Sequence, residues 1–155
     1  MKVARELVHG TCVALGRRAA LLRGKPGSGK SDLALRFIAL PAEGALQPRL
    51  VADDQAFVEP GVGGVLQVFS PDTIAGKIEV RGLGIVEVPF QAKAELLLVC
   101  DLVSGEDVAR MPPETEEYAR IAGVAVPAMR LAPFEASAPL KLKLALLRAA
   151  PDGPN

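Results

Sequence analysis

The sequence predicts an α/β domain: a mixed sheet with hairpins and flanking helices, built around a phosphate-binding loop. Three observations predict it. Gly24-Lys25-Pro26-Gly27-Ser28-Gly29-Lys30-Ser31 fits the G-x-x-x-x-G-K-[ST] pattern at every required position. It stands between an apolar strand-like run, Ala19-Ala20-Leu21-Leu22, and a helix-like run, Asp32-Leu33-Ala34-Leu35-Arg36-Phe37-Ile38. Further on, Leu96-Leu97-Leu98-Val99 is the near-continuous apolar run of a central strand.

The elements follow in chain order. Glu6 to Leu15 alternates weakly and reads as one strand. Gly16-Arg17-Arg18 turns it into the strand before the phosphate loop, as a hairpin. The helix after Ser31 should stop near Pro41, because proline disfavours helix in the residue before it. Gly44 to Pro48 is loop, and Leu50-Val51-Ala52 is a short buried strand that ends in Asp53-Asp54. Pro60-Gly61-Val62-Gly63-Gly64 divides Ala56 to Phe69 into two strands. Ser70 to Thr73 is a turn, and Ile74 to Ile78 opens a short helix or is loop. Ile85 to Phe90 and Glu95 to Leu102 are strands, with a polar loop from Ser104 to Pro113. Glu114 to Ile121 is expected to be helical, stopped by Gly123. Val124 to Pro127 is extended, and Pro139 to Ala149 is a helix with proline in its first turn.

The bulk numbers bound the rest. A chain of 155 residues, half of them hydrophobic, predicts one domain over residues 1–150, with 151–155 as a disordered tail. Lysine plus arginine equals aspartate plus glutamate at 18 each, which argues against a broad electrostatic grip on nucleic acid. The start, Met1-Lys2-Val3-Ala4-Arg5-Glu6, has no apolar signal region, and no run is long enough to span a bilayer. Cys12 and Cys100 lie in apolar runs and read as reduced core thiols, so the expected compartment is the cytoplasm.

The loop pattern assigns Gly24, Lys25, Pro26, Gly27, Ser28, Gly29, Lys30, Ser31 and Asp32 to a nucleotide's phosphates. Glycines let backbone N–H groups turn inward around phosphate oxygens. Lys30 supplies a point charge, the Ser31 hydroxyl a Mg²⁺ ligand, and the helix N-terminus a favourable dipole. Phosphoryl transfer also needs one carboxylate to orient or deprotonate the nucleophile and another group to hold Mg²⁺. Asp53 and Asp54 end a strand and point to opposite faces if extended, which predicts different roles. Asp101 ends the central strand and competes for the metal. Glu79 lies in Lys77-Ile78-Glu79-Val80-Arg81-Gly82-Leu83-Gly84-Ile85, a glycine-containing bend. His9, the single histidine, begins the strand that pairs with the loop strand, which places it at the mouth of the site if the hairpin forms.

Taken together, His9-Gly10-Thr11, the phosphate loop, Leu50-Val51-Ala52-Asp53-Asp54 and Ile78-Glu79-Val80-Arg81-Gly82-Leu83-Gly84-Ile85 resemble the catalytic domain of HPr kinase/phosphorylase, in a short alphaproteobacterial-type form. The last block resembles that family's signature and is far more specific than a phosphate loop. The resemblance implies a P-loop domain of the HPr kinase type. It implies a serine kinase that uses ATP and Mg²⁺ on HPr, the small phosphocarrier of the sugar phosphotransferase system. By position, Lys30 contacts phosphates, Ser31, Asp53 and Glu79 serve the metal, and Asp54 is the base toward the serine, or the acid in a reverse phosphorylase step. His9 stands for the family's active-site histidine. The family's C-terminal P-V-[RK]-x-G-R block is replaced by Val126-Pro127-Ala128-Met129-Arg130-Leu131, in which Arg130 is the remaining cation. The resemblance also implies a homo-oligomer, a hexamer, and partners among regulatory proteins such as two-component systems. Two rivals stand beside it: a small-molecule P-loop kinase, for which only Arg110 and Arg120 offer lid cations near 104–120, and a non-catalytic nucleotide-sensing module.

Overall fold

The structure, a computed structural model, describes residues 5–149. Glu6–His9 (β1), Thr11–Leu15 (β2) and Arg18–Arg23 (β3) precede the phosphate loop, and Lys30–Ile38 (α1) follows it. Pro48–Ala52 (β4), Gln55–Pro60 (β5), Leu66–Phe69 (β6), Lys77–Val80 (β7) and Gly84–Glu87 (β8) fill the middle. Lys93–Leu102 (β9), Glu117–Ile121 (β10), Val124–Leu131 (β11) and Ala138–Arg148 (α2) complete the order. The tail at 151–155 lies outside the described residues.

Nine strands form one mixed sheet, with β7 and β8 as a separate hairpin. The sheet runs β1-β5-β6-β9-β3-β2-β4. It forks at β9, the long apolar strand. Residues 93–96 of β9 pair antiparallel with β6, whereas 99–102 pair parallel with β11. The other edge of β9 pairs parallel with β3. The phosphate loop therefore leaves the sheet from between β9, its longest strand, and the wholly buried β2.

Period-two alternation builds two apolar layers from the same strands. In β2, Cys12 and Ala14 face one layer with Leu21, Val58 and Val99. Val13 and Leu15 face the other, with Leu22, Leu98 and Cys100, and there the helices add Leu33, Phe37, Leu142 and Leu146. Both helices thus lie on one face. Phe37 is wholly buried, so Phe37→Ala would cost about 3–5 kcal/mol.

Two expectations change. The strand read from Glu6 to Leu15 breaks at Gly10, where it changes partners: β1 pairs with β5, while β2 pairs with β3 and β4. Gly10 has φ 156°, and a side chain there would meet the Leu22 carbonyl oxygen at 2.6 Å. Only glycine allows that approach. The segment expected to be helical, Glu114 to Ile121, instead contains β10, antiparallel to β11. Its buried residues are Ala119 and Ile121, two apart rather than three or four. Ala122 (φ 48°) and Gly123 (φ 80°) make a two-residue hairpin turn, so the glycine read as a helix stop turns a hairpin. The region left as helix or loop at 74–78 is a 3₁₀ turn over Asp72–Ile74 followed by β7.

Cys12 and Cys100 are free and fully buried, as expected. Burial pushes both thiols above the ordinary range, and the charge of Asp101 adds to this for Cys100. The thiolate is the reactive form. Folded protein at pH 8 is therefore expected to leave both thiols unmodified by iodoacetamide, with both reacting after unfolding; mass spectrometry reads the difference. Because the folded state holds the protons longer, stability should fall as pH rises past the ordinary thiol range.

Candidate active site

β3 carries the chain out of the sheet at Arg23, and the loop turns back to begin α1 at Lys30. Gly27 (φ 83°) and Gly29 (φ 98°) sit in the left-handed region that glycine adopts without cost. The Ser28 amide donates to the Lys25 carbonyl at 3.0 Å, and the Leu33 amide donates to Gly29 at 2.9 Å, which closes the first turn. Lys30 Nζ donates to the carbonyls of Gly24 (2.6 Å) and Lys25 (3.2 Å), holding the ammonium across the loop.

Ser31 Oγ donates to Asp53 Oδ1 at 2.8 Å, joining the loop to the end of β4. Asp53 is only 8% exposed. Its Oδ1 also accepts from Thr11 Oγ1 at 2.9 Å, and its Oδ2 accepts from the Glu79 backbone amide at 3.1 Å. A buried carboxylate is tolerated here because three donors meet it. Asp54 differs. Its backbone is left-handed at φ 68°, a conformation aspartate accepts more readily than most residues, and its side chain is exposed. The two carboxylates part through this bend and not through the simple alternation of an extended chain.

These groups open onto a cavity of about 740 Å³. Lys30, Ser31 and Asp32 line it from α1, and Asp53 and Asp54 from the end of β4. Glu79 and Arg81 line it from the β7–β8 hairpin. Lys30 and Arg81 are its cationic lining residues; Arg110 and Arg120 are not among them. Pro26, Gly27 and Gly29 contribute from the loop. His9 ends β1, exposed, opposite Gln55; the amide of its neighbour Gly10 donates to the Asp54 carbonyl at 3.0 Å. It flanks Asp54 but is not a lining residue, and it ends β1 instead of beginning the strand that pairs with the loop strand.

Asp101 has another occupation. Arg23 holds it through two hydrogen bonds, Nε to Oδ1 at 2.9 Å and Nη2 to Oδ2 at 3.1 Å. Arg130 is its cross-strand neighbour on β11 and is exposed. Arg23, Asp101 and Arg130 thus form a row across β3, β9 and β11, outside the cavity lining. Between the two candidates for the metal, Asp53 is the one bonded to Ser31.

Thr11 and Phe134 line the cavity but were given no role in the sequence. Thr11 carried a signal, a hydroxyl in a strand that is otherwise apolar and wholly buried. Phe134 carried none, because only the tertiary fold brings it to the loop.

The donor set suits a nucleoside triphosphate with Mg²⁺. A hydroxyl and a carboxylate already meet at Ser31 and Asp53, and Mg²⁺ is commonly held by one or two carboxylates plus substrate phosphates. Among the described residues no cluster of three histidine, cysteine or acidic side chains forms a metal cage of its own. Ser28 Oγ is buried beside this loop without a hydrogen-bond partner among the described residues.

The profile of the HPr Serine kinase C-terminal domain matches residues 2–138. The chain belongs to that family. HPr kinase/phosphorylase of Azoarcus sp. is 33% identical over 134 residues, which is 80% of this chain and 41% of the relative. That of Clostridium novyi is 38% identical over 82 residues, 53% of this chain and 24% of the relative. The chain therefore spans less than half the length of these relatives. The solved structure of the Hpr(Ser) kinase/phosphatase from Coxiella burnetii matches with a TM-score of 0.71 at 25% identity, covering 92% of this chain and 88% of that one. The mixed sheet with two helices on one face is thus the family's fold. No helix among the described residues is long and apolar enough to cross a membrane.

Proposed function

We propose that this chain is a serine protein kinase that transfers the γ-phosphoryl group of ATP to an HPr-like phosphocarrier protein, with Mg²⁺ as cofactor. The observation that carries the reading is the 2.8 Å bond from Ser31 to the buried Asp53, at the foot of a complete phosphate loop and beside an exposed Asp54. The loop amides and Lys30 bind the β- and γ-phosphates. Ser31, Asp53 and Glu79 would hold the metal, which when bound neutralises charge on the transferring group. Thr11 and the Glu79 amide fix the Asp53 carboxylate at the cavity wall. Asp54 accepts the proton of the attacking serine, and the same group returns it in a phosphorylase step. His9 stands beside Asp54 at the acceptor's entry. Arg130, the cation of the altered block, stands outside the cavity lining beside Asp101, so Lys30 and Arg81 are the cations that face the transferred phosphate. The chain acts in the cytoplasm, as one domain over residues 1–150 that assembles as a homo-oligomer.

The test is Mg²⁺-dependent transfer from γ-labelled ATP to the HPr-like protein of the same organism, run beside Lys30→Ala. Label on the acceptor that Lys30→Ala loses supports the reading. ATP bound tightly with no label transferred moves it to the nucleotide-sensing module.

A further inference from the structure

The cavity has an apolar end that phosphoryl chemistry leaves unused. Phe134 is 71% exposed, yet its ring lies directly against the phosphate loop. A methyl group placed on Gly29 would come within 3.0 Å of two of its ring atoms. A single exposed apolar side chain is ordinary, but this one lines the cavity beside the phosphate loop and not an outer surface.

The ring is held in place. Arg36 of α1 donates to the carbonyls on both sides of Phe134: Pro133, and Glu135 at 3.3 Å. Arg36 is itself paired with Asp32 at 2.9 Å, and Lys141 of α2 pairs with Glu135. Pro133 is buried. The segment is thus fastened to both helices while its one aromatic side chain faces the cavity that Asp32 and Leu35 also line.

Topology gives the direction. Asp53 and Asp54 follow β4, which reaches β3 through β2. Phe134 follows β11, which reaches β3 through β9 on the opposite side. A triphosphate laid across the loop with its γ-end at Ser31 and Asp53 sends its nucleoside away from β4, toward the β11 side.

We propose that Phe134 is the stacking platform for the nucleobase, so that the short segment after β11 sets the chain's affinity for a nucleotide over a bare polyphosphate. The proposal rests on the nucleotide reading above. Stacking needs only a π-face, so purine nucleotides should share the platform.

The experiment compares ATP with inorganic tripolyphosphate, each with Mg²⁺, by calorimetry on the full chain. Phe134→Ala should weaken ATP binding about five- to fiftyfold and leave tripolyphosphate binding unchanged, which also shows that the loop is intact. Phe134→Trp should keep ATP affinity. Because the chain contains no tryptophan, the indole is a single reporter, quenched by ATP and not by tripolyphosphate. Equal loss for both ligands, or loss for neither, overturns the platform and leaves the phosphate-loop reading standing. So does a Phe134→Ala variant whose ATP affinity holds while the acceptor's KM rises. Wild-type protein that binds neither ligand removes the nucleotide reading, and the platform with it.

Discussion

Asp53→Ala is expected to lose both stability and turnover. The carboxylate is buried and meets three donors, from Thr11, Ser31 and the Glu79 amide. Removing it leaves the wholly buried Thr11 hydroxyl and the Glu79 amide without their acceptor. The buried hydroxyl left unpaired costs about 1–3 kcal/mol, and the part-buried amide adds less. For a domain of this size the melting temperature should drop by roughly 5–10 °C, readable by thermal unfolding. The same carboxylate is the proposed metal ligand, so transfer should fall by about a hundred- to a thousandfold at saturating ATP. Asp53→Asn separates the two effects. It keeps the volume and one acceptor, so part of the stability returns while metal-dependent transfer stays low. Recovery of both together would show that Asp53 is only a structural tie.

Asp54→Asn should do the reverse. The side chain is exposed, and asparagine accepts the left-handed backbone at φ 68° as well as aspartate does. Stability should change by less than about 0.5 kcal/mol. ATP binding should hold, since the phosphates are gripped from the loop and α1. Transfer should fall by about a hundred- to ten-thousandfold, the range for loss of a general base. Turnover within a few-fold of wild type would remove Asp54 from the chemistry and leave the bend without its proposed role.

How legible this was in the sequence depended on whether the physics was local. The phosphate loop was legible because its residue types are demanded at fixed spacing by one task. The β2–β3 hairpin and β9 were legible because their apolar patterns and turn residues agree; α2 was legible from its alanines and from Pro139 in its first turn, although its leucines mix both periods. β10 was not. Its segment is mostly polar and exposed, so the strand is created by pairing with β11 and by Ala122-Gly123 in left-handed conformations. Gly10 was not legible as a break, because the reason for a glycine there is the Leu22 carbonyl, twelve residues on.

The site shows the same division. That the two carboxylates part was readable from their position at a strand's end; which one is buried was not, because Thr11, Ser31 and Glu79 are brought to Asp53 by β2, α1 and β7. Asp101 looked as suitable a metal ligand as Asp53 until its pairing with Arg23 was visible. Arg130 reads in the sequence as the surviving cation of a family block. In the fold it stands next to Asp101, on the strand beyond the phosphate loop.

The central claim is tested most directly by locating the transferred phosphate. The HPr-like acceptor, incubated with this chain, ATP and Mg²⁺, is digested and its modified residue mapped, with Lys30→Ala and Asp54→Asn in parallel. The account predicts an acid-stable phosphoserine at one position that neither variant produces. An acid-labile phosphate, or a phosphoserine that Asp54→Asn makes at the wild-type rate, would contradict it.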